Sequence, residues 1–203
     1  MVSFCPKCSN REWNKHVEND TIKCPICGTT WKFTPMPLLM LTGCSGVGKT
    51  TTAMEIMRRN VDFVVLDGDI FYDFMKIETV EDNIKWVESM GNISKNIMQS
   101  GRPVMWAMAG NIDKISETYH SRFFSEIRCL ALVCDEELLR TRMTVGRGIT
   151  DEKWITSSVK YNHYFKTHNQ IGRTNFETFD ISNKSISEVA DYVIKWVHNI
   201  CKY

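Results

Sequence analysis

A short apolar run, Leu38-Leu-Met-Leu-Thr42, leads straight into Gly43-Cys-Ser-Gly-Val-Gly48-Lys49-Thr50. No other segment restricts the fold as much. The stretch fits G-x-x-x-x-G-K-[ST] at every fixed position, with a strand-like run before it and a helix-like run, Lys49–Arg59, after it. Glycines let successive backbone N–H groups turn inward around an anion, and the positive end of the following helix points at the same place. Lys49 reaches β- and γ-phosphates as a point charge, and Thr50 offers a hydroxyl to Mg²⁺. The expected ATP-binding residues are therefore Gly43, Cys44, Ser45, Gly46, Val47, Gly48, Lys49, Thr50 and Thr51. Such a loop does not identify a reaction, because kinases, GTPases and mechanical ATPases all carry it.

Around this loop, apolar runs alternate with amphipathic stretches. Strands are expected at Asp62–Leu66, Pro103–Ala109, Ile127–Cys134 and Phe176–Ile181. Thr79 is placed to cap a helix running to about Ser100, with Val80, Ile84, Val87, Ile93 and Ile97 on one face. Further helices start at Glu136 and Asp151, and Ser185-Ile-Ser-Glu188 is a capping box opening a last one. Strands alternating with helices imply βαβ units, a mainly parallel sheet and helices on both faces, an α/β class.

The first 34 residues differ in texture. Cys5-Pro-Lys-Cys8 and Cys24-Pro-Ile-Cys27 are two C-x-x-C knuckles with fifteen residues between them. That spacing suits a small zinc ribbon, in which Cys5, Cys8, Cys24 and Cys27 give tetrahedral structural Zn²⁺ four thiolates and no open position. So short a segment cannot bury a sufficient core, and metal binding supplies the missing stability. The expected division is a ribbon over residues 1–34 and a nucleotide-binding domain over 35–203, with Pro35 and Pro37 as a stiff joint. Cys44, Cys129, Cys134 and Cys201 are scattered and read as core residues.

Two further patterns point to chemistry. Leu66-Asp67-Gly68-Asp69 ends the second strand of the larger domain, and strand carboxyl ends face the ligand crevice in such sheets. One of these carboxylates can hold a water on Mg²⁺, and the other can orient or deprotonate an acceptor hydroxyl. Downstream, Arg140, Arg142 and Arg147 cluster around Gly146 and Gly148, the composition of a mobile flap that closes guanidiniums over transferring phosphate. Charge segregates in step: residues 61–91 hold eight acids and two bases, and residues 138–173 hold seven bases and two acids. The remaining polar and aromatic residues read as surface or packing, namely His120, Tyr161, Asn162, His163 and His168. Trp86, Trp106, Trp154 and Trp196 read as core.

Residues 37–200 resemble the small P-loop kinases, the group containing adenylate, shikimate and gluconate kinases. The resemblance is nearest to the bacterial broad-specificity nucleoside monophosphate kinases, or AAA-type ATP-binding proteins. It rests on PLLMLTGCSGVGKTT, VVLDGD, SGRPVMWAMAG, FFSEIRCLALVCDEELLRTRM, the GRG segment, and DEKWI with VKYNHYF. It implies a five-stranded parallel sheet in the order 2-3-1-4-5. It also implies Mg²⁺ with ATP, the metal served by Thr50 and Asp67, acceptor contact by Asp69, and lid roles for Arg142 and Arg147. The third strand ends Ala109-Gly110-Asn111, without the acidic residue that adenylate kinase places there, so the metal site leans on Thr50 and Asp67.

Composition removes other classes. Twenty-five basic residues balance twenty-four acidic ones, which argues against a polybasic nucleic-acid binder. No apolar run is long enough to span a membrane, and the start of the chain lacks the plan of a secretory signal, so a cytoplasmic location is expected. The leading expectation is an ATP-dependent kinase in which Lys49, Asp69, Arg142 and Arg147 act on a small-molecule acceptor, nucleoside- or nucleotide-like or another hydroxyl compound. A second is a nucleic-acid end kinase or nucleic-acid-associated ATPase docked through the ribbon, whose Trp13, Trp31 and Phe33 are available for stacking. A third is a regulatory nucleotide-binding switch whose ribbon contacts a protein.

Overall fold

The computed structural model describes residues 2–73 and 75–201. Near the N-terminus, three short strands form an antiparallel sheet in sequence order: β1 (His16–Glu18), β2 (Thr21–Lys23) and β3 (Thr30–Lys32). The chain then enters a six-stranded sheet built from β4 (Met36–Thr42), β5 (Val64–Asp67), β6 (Val104–Ala107), β7 (Phe124–Val133), β8 (Gln170–Ile171) and β9 (Thr174–Asp180). Its order is β5-β6-β4-β7-β9-β8. The first five are parallel and reproduce the expected order 2-3-1-4-5 when counted from β4. The sixth, β8, has no counterpart in the sequence expectation. It is two residues long and pairs antiparallel with β9 around Gly172, too short to leave a periodic signal.

Alternation along β4 sets the two layers. Leu39 and Leu41 face one side, with helix α1 (Lys49–Met57) and the C-terminal helix α5 (Ile186–Cys201). Leu38 and Met40 face the other, with Trp106, Phe71 and helix α2 (Val80–Ile97). All four β4 residues are fully buried, which explains why a strand covered on both faces reads as one unbroken apolar run. Helices α3 (Glu136–Thr141) and α4 (Glu152–Thr167) follow β7.

The structure corrects three expectations. Pro37 lies inside β4 rather than ahead of it. Lacking an N–H, it falls at a register shift between Met36 and Leu38 in the pairing with β7. Only part of the apolar face assigned to α2 is buried: Val87 faces the sheet and Ile97 packs at its edge, but Val80, Ile84 and Ile93 are exposed, and Trp86, Met90 and Ser94 complete the buried stripe. Ser94 hid that stripe, because a serine scores as polar. Its hydroxyl instead accepts from the Trp106 indole at 2.8 Å. Trp154 is not core; 44% of it is exposed. The caps match the sequence closely. Thr79 Oγ1 accepts from Asp82 N at 3.1 Å while Asp82 accepts back from Thr79 N, and Ser185 and Glu188 make the same exchange. Each such box stabilises a helix start by about 1 kcal/mol.

The N-terminal strands are seated on the larger unit. Val2, Ile22 and Phe33 share a cluster with Phe123, and Trp13 stacks on Tyr119 with centroids 5.9 Å apart. Thr34 and Gln99 exchange two hydrogen bonds of 3.0 and 3.2 Å. Gly91 lets α2 approach the 119–123 turn beneath these strands, since a Cβ there would meet His120 Cβ at 2.8 Å.

Candidate active site

The phosphate-type loop occupies Gly43–Gly48, between the last residue of β4 and the first of α1. Gly43 and Gly48 have φ of 134° and 116°, which side chains rarely tolerate. At Gly43 a Cβ would also meet Leu132 O at 2.5 Å. Cys44 and Val47 turn into the core, and burial pushes the Cys44 thiol up to about 12, so Cys44 offers the loop only backbone. Lys49 folds back over the loop, donating to Gly43 O at 3.0 Å and Cys44 O at 2.8 Å. Burial pushes its ammonium down to about 8, against the pull of Asp69 and Asp67.

A cavity of about 980 Å³ opens above the loop. Ser45, Gly46, Val47, Gly48, Lys49, Thr50 and Thr51 line it; Gly43 and Cys44 lie behind. Asp67 and Asp69 line the opposite wall, so β5 and β4 bring the acidic pair and the loop to one crevice. Asp67 closes β5, and its Oδ1 accepts from Asp69 N at 3.0 Å. Burial raises the Asp69 carboxyl above the usual range, the Asp67 charge adds to that, and Lys49 and Arg147 oppose it. Gly68 presses the pair onto buried Trp86: a Cβ there would stand 3.3 Å from the indole ring. Trp86 is thus a core residue, as its sequence suggests, and also the support of this turn, which its sequence does not reveal.

Two of the three arginines reach the loop. A wide π turn, Arg142–Gly146, interrupts the end of α3 and swings the chain across the cavity. Arg142 donates to Val47 O at 2.8 Å, and Arg147 to Ser45 Oγ at 2.8 Å. Arg147 also lies over the Trp154 ring, 5.5 Å from its centroid. Arg140 is elsewhere, paired with Glu136 and Glu152 at 2.8 Å each.

A family model described as an AAA domain matches residues 39–160, more than half of the chain. The chain belongs to the AAA domain family. No curated protein is matched by sequence. Solved structures add the fold. A sugar kinase from Janibacter sp. HTCC2649 superposes with a TM-score of 0.61 at 16% identity, covering 82% of this chain and 96% of that one. A gluconokinase from Sinorhizobium meliloti 1021 gives 0.57 at 14%, covering 84% and 96%. A shikimate kinase from Acinetobacter baumannii gives 0.52 at 14%, covering 81% and 94%. The AAA domain here thus has the α/β fold of small P-loop kinases, and these structural neighbours are small-molecule kinases.

Ahead of the AAA domain, the four paired cysteines converge. Their sulfurs all lie within 4.8 Å of one another, with Cys5–Cys27 at 3.5 Å and Cys8–Cys24 at 3.6 Å. Four thiolates around tetrahedral Zn²⁺ stand about 3.8 Å apart, given Zn–S bonds of about 2.3 Å. The donor set therefore fits a structural zinc. Asn162, read as surface or packing, is a buried brace. Its side chain donates to Cys134 O at 2.6 Å and accepts from Cys134 N at 3.1 Å, fixing α4 to the end of β7. Among the described residues no helix is long and apolar enough to cross a membrane.

Proposed function

We propose that this AAA-domain protein is an ATP-dependent phosphotransferase acting on a small-molecule alcohol. One observation carries the reading: a single cavity gathers the glycine loop, Lys49, Asp67, Asp69, Arg142 and Arg147. ATP's phosphates lie in the backbone nest of Gly43–Gly48, with Lys49 transferring its hydrogen bonds from loop carbonyls to phosphate oxygens. Thr50 and, through water, Asp67 hold Mg²⁺, which neutralises phosphate charge when bound. Asp69 accepts the acceptor's hydroxyl proton as that oxygen bonds to the γ-phosphorus. The bond from the γ-phosphorus to the bridging oxygen breaks, and ADP leaves with the electron pair. The raised proton affinity of Asp69 suits a proton acceptor. Arg142 and Arg147 stabilise charge on the equatorial oxygens and help exclude water. The four cysteines hold a structural Zn²⁺ in a ribbon over residues 1–34, which braces the domain over 35–203.

The nucleic-acid reading has no support of this kind. Phe33 is buried against Phe123 and Trp31 packs on the same cluster, so two of the three rings proposed for base stacking are engaged within the protein; Trp13 stacks on Tyr119 but leaves about half of its surface open.

Transfer of labelled γ-phosphate from ATP to pooled small alcohols tests the reading. Asp69→Asn should lower kcat by about 10²–10⁴-fold while leaving ATP affinity within about twofold. Normal turnover in Asp69→Asn removes the base assignment.

A further inference from the structure

The cavity above the loop has an annexe with a different character. A second hollow of about 600 Å³ shares Ser45, Ala109 and Trp154 with the first, so the two spaces meet at the loop and the end of β6. Its main wall is one face of α4, where Trp154, Ser157, Tyr161 and Tyr164 recur at helical spacing. Ile171 of β8 closes the far side, which gives the short sixth strand a place in the site.

We infer that this annexe receives the planar ring of a heteroaromatic alcohol, whose hydroxyl projects across the Ser45–Ala109 boundary toward Asp69. The inference rests on the phosphotransferase reading above and names the acceptor class for that site. Three observations support it. The walls are mostly rings and aliphatic carbon, with Ser45, Ser157, Ser158 and Lys160 adding a few polar groups, and burying a planar ring against the apolar part is favourable. A sugar-type polyol carries a hydroxyl on nearly every carbon and loses about 1–3 kcal/mol for each one desolvated without a partner. Second, the ring positions are fixed before any ligand arrives. Tyr164 donates to Gln170 O at 2.7 Å and stacks on His168 with centroids 4.2 Å apart, and Tyr161 packs against Phe165 at 4.6 Å. Third, the Tyr161 hydroxyl makes no hydrogen bond to any described residue, although the ring is half-buried at the cavity wall. It is a polar group held ready in an apolar surround, the pattern of an orienting contact in a ligand site. Trp154 forms the shared wall and carries Arg147 on its ring, so an occupied annexe and a closed arginine support one another.

Calorimetric titration and phosphate transfer separate this inference from the one beneath it. Pyridoxine and pyridin-3-ylmethanol serve as heteroaromatic alcohols, with gluconate, glucose and shikimate as ring-free or non-aromatic controls. Ser157→Trp fills the annexe without touching the larger cavity, and Tyr161→Phe removes a single oxygen. The expected result is preference for heteroaromatic alcohols, at least a tenfold loss of their kcat/KM in Ser157→Trp, and a threefold to tenfold rise in their KM in Tyr161→Phe. ATP affinity should stay within twofold in both variants. If Ser157→Trp fails to fold, Tyr161→Phe carries the test. Transfer to polyols alone, indifferent to both variants, overturns the annexe while leaving the kinase reading intact. Calorimetric binding of the heteroaromatic alcohols that Ser157→Trp abolishes supports the annexe even where no phosphate moves. Failure of the wild-type protein to bind ATP overturns the kinase reading and this inference with it.

Discussion

Two lysines in this protein are pushed down to about 8 by burial, and they sit in opposite surroundings. Lys49 lies in a glycine loop, donates to two carbonyls, and has two acids across the cavity. Lys95 lies under the N-terminal strands, 2% exposed, with its ammonium 4.3 Å from the centre of the Phe123 ring. Its neighbours are Lys15, which repels it, and Glu88, which attracts it. Beside it His120 is fully buried with neither ring nitrogen hydrogen-bonded, and burial, then Lys95 and Arg122, pushes it down to about 3. The first lysine faces an open cavity lined by the glycine loop, two carboxylates and two arginines. The second is covered by a neighbouring part of the same chain. Equal proton affinity therefore does not imply equal purpose, and the open or closed space around the charge distinguishes them.

Swapping each lysine for methionine should separate the two most sharply. Lys49→Met is expected to lose at least about a hundredfold in phosphate transfer, because its charge is replaced by nothing at the phosphates. Lys95→Met should transfer phosphate within about twofold of wild type and gain about 1 kcal/mol in stability, since a buried charge gives way to an apolar side chain of similar length. Steady-state rates and denaturant midpoints measure these. Destabilisation of Lys95→Met by more than about 1 kcal/mol would mean that its ammonium is worth more to the seat than its burial costs.

Removing metal tests the covered region alone. Chelation should unfold β1–β3, because the module has little core beyond Val2, Ile22 and Phe33, and zinc binding in such peptides is worth about 10–16 kcal/mol. Trp13 and Trp31 emission should shift to the red, while the phosphate-loop side keeps its ATP affinity within about threefold. A single concerted loss of ATP binding and tryptophan structure would instead show that the two regions fold as one unit. Zinc content by elemental analysis fixes the starting state.

The same contrast explains what the sequence disclosed. Lys49 announced itself through the glycines around it, whose positive φ values serve the backbone alone. The strands followed from apolar runs covered on both faces, their order from the resemblance to small P-loop kinases, and the helix starts from Thr79 and Ser185. Lys95, His120 and Gly91 left no such trace. They matter because α2 approaches the 119–123 turn, a contact between segments about thirty residues apart with no local pattern. Trp154 and Tyr161 escape sequence reading for a related reason. A helix bordering a cavity has the same periodicity as one bordering a core, so their apolar spacing on α4 does not distinguish the two. Arg140 falls outside the flap because Glu136 and Glu152 already hold it, which composition cannot show.

The smallest effect follows from the proton affinity of Lys49. Its ammonium sits near 8 in the free protein, below the ordinary lysine value of 10.5. It is charged at pH 7 and becomes neutral as pH rises through 8. ATP requires the charged form, and bound phosphate oxygens hold the proton in place. ATP affinity should therefore be flat below about pH 7.5 and fall about tenfold by pH 9. Lys95 titrates in the same range, so the profile alone does not name the group. Lys95→Met should keep the full decline. Lys49→Met should start from weak binding and show none of it. If the decline persists in Lys49→Met and vanishes in Lys95→Met, the covered lysine is coupled to the nucleotide and the distinction between the two surroundings fails.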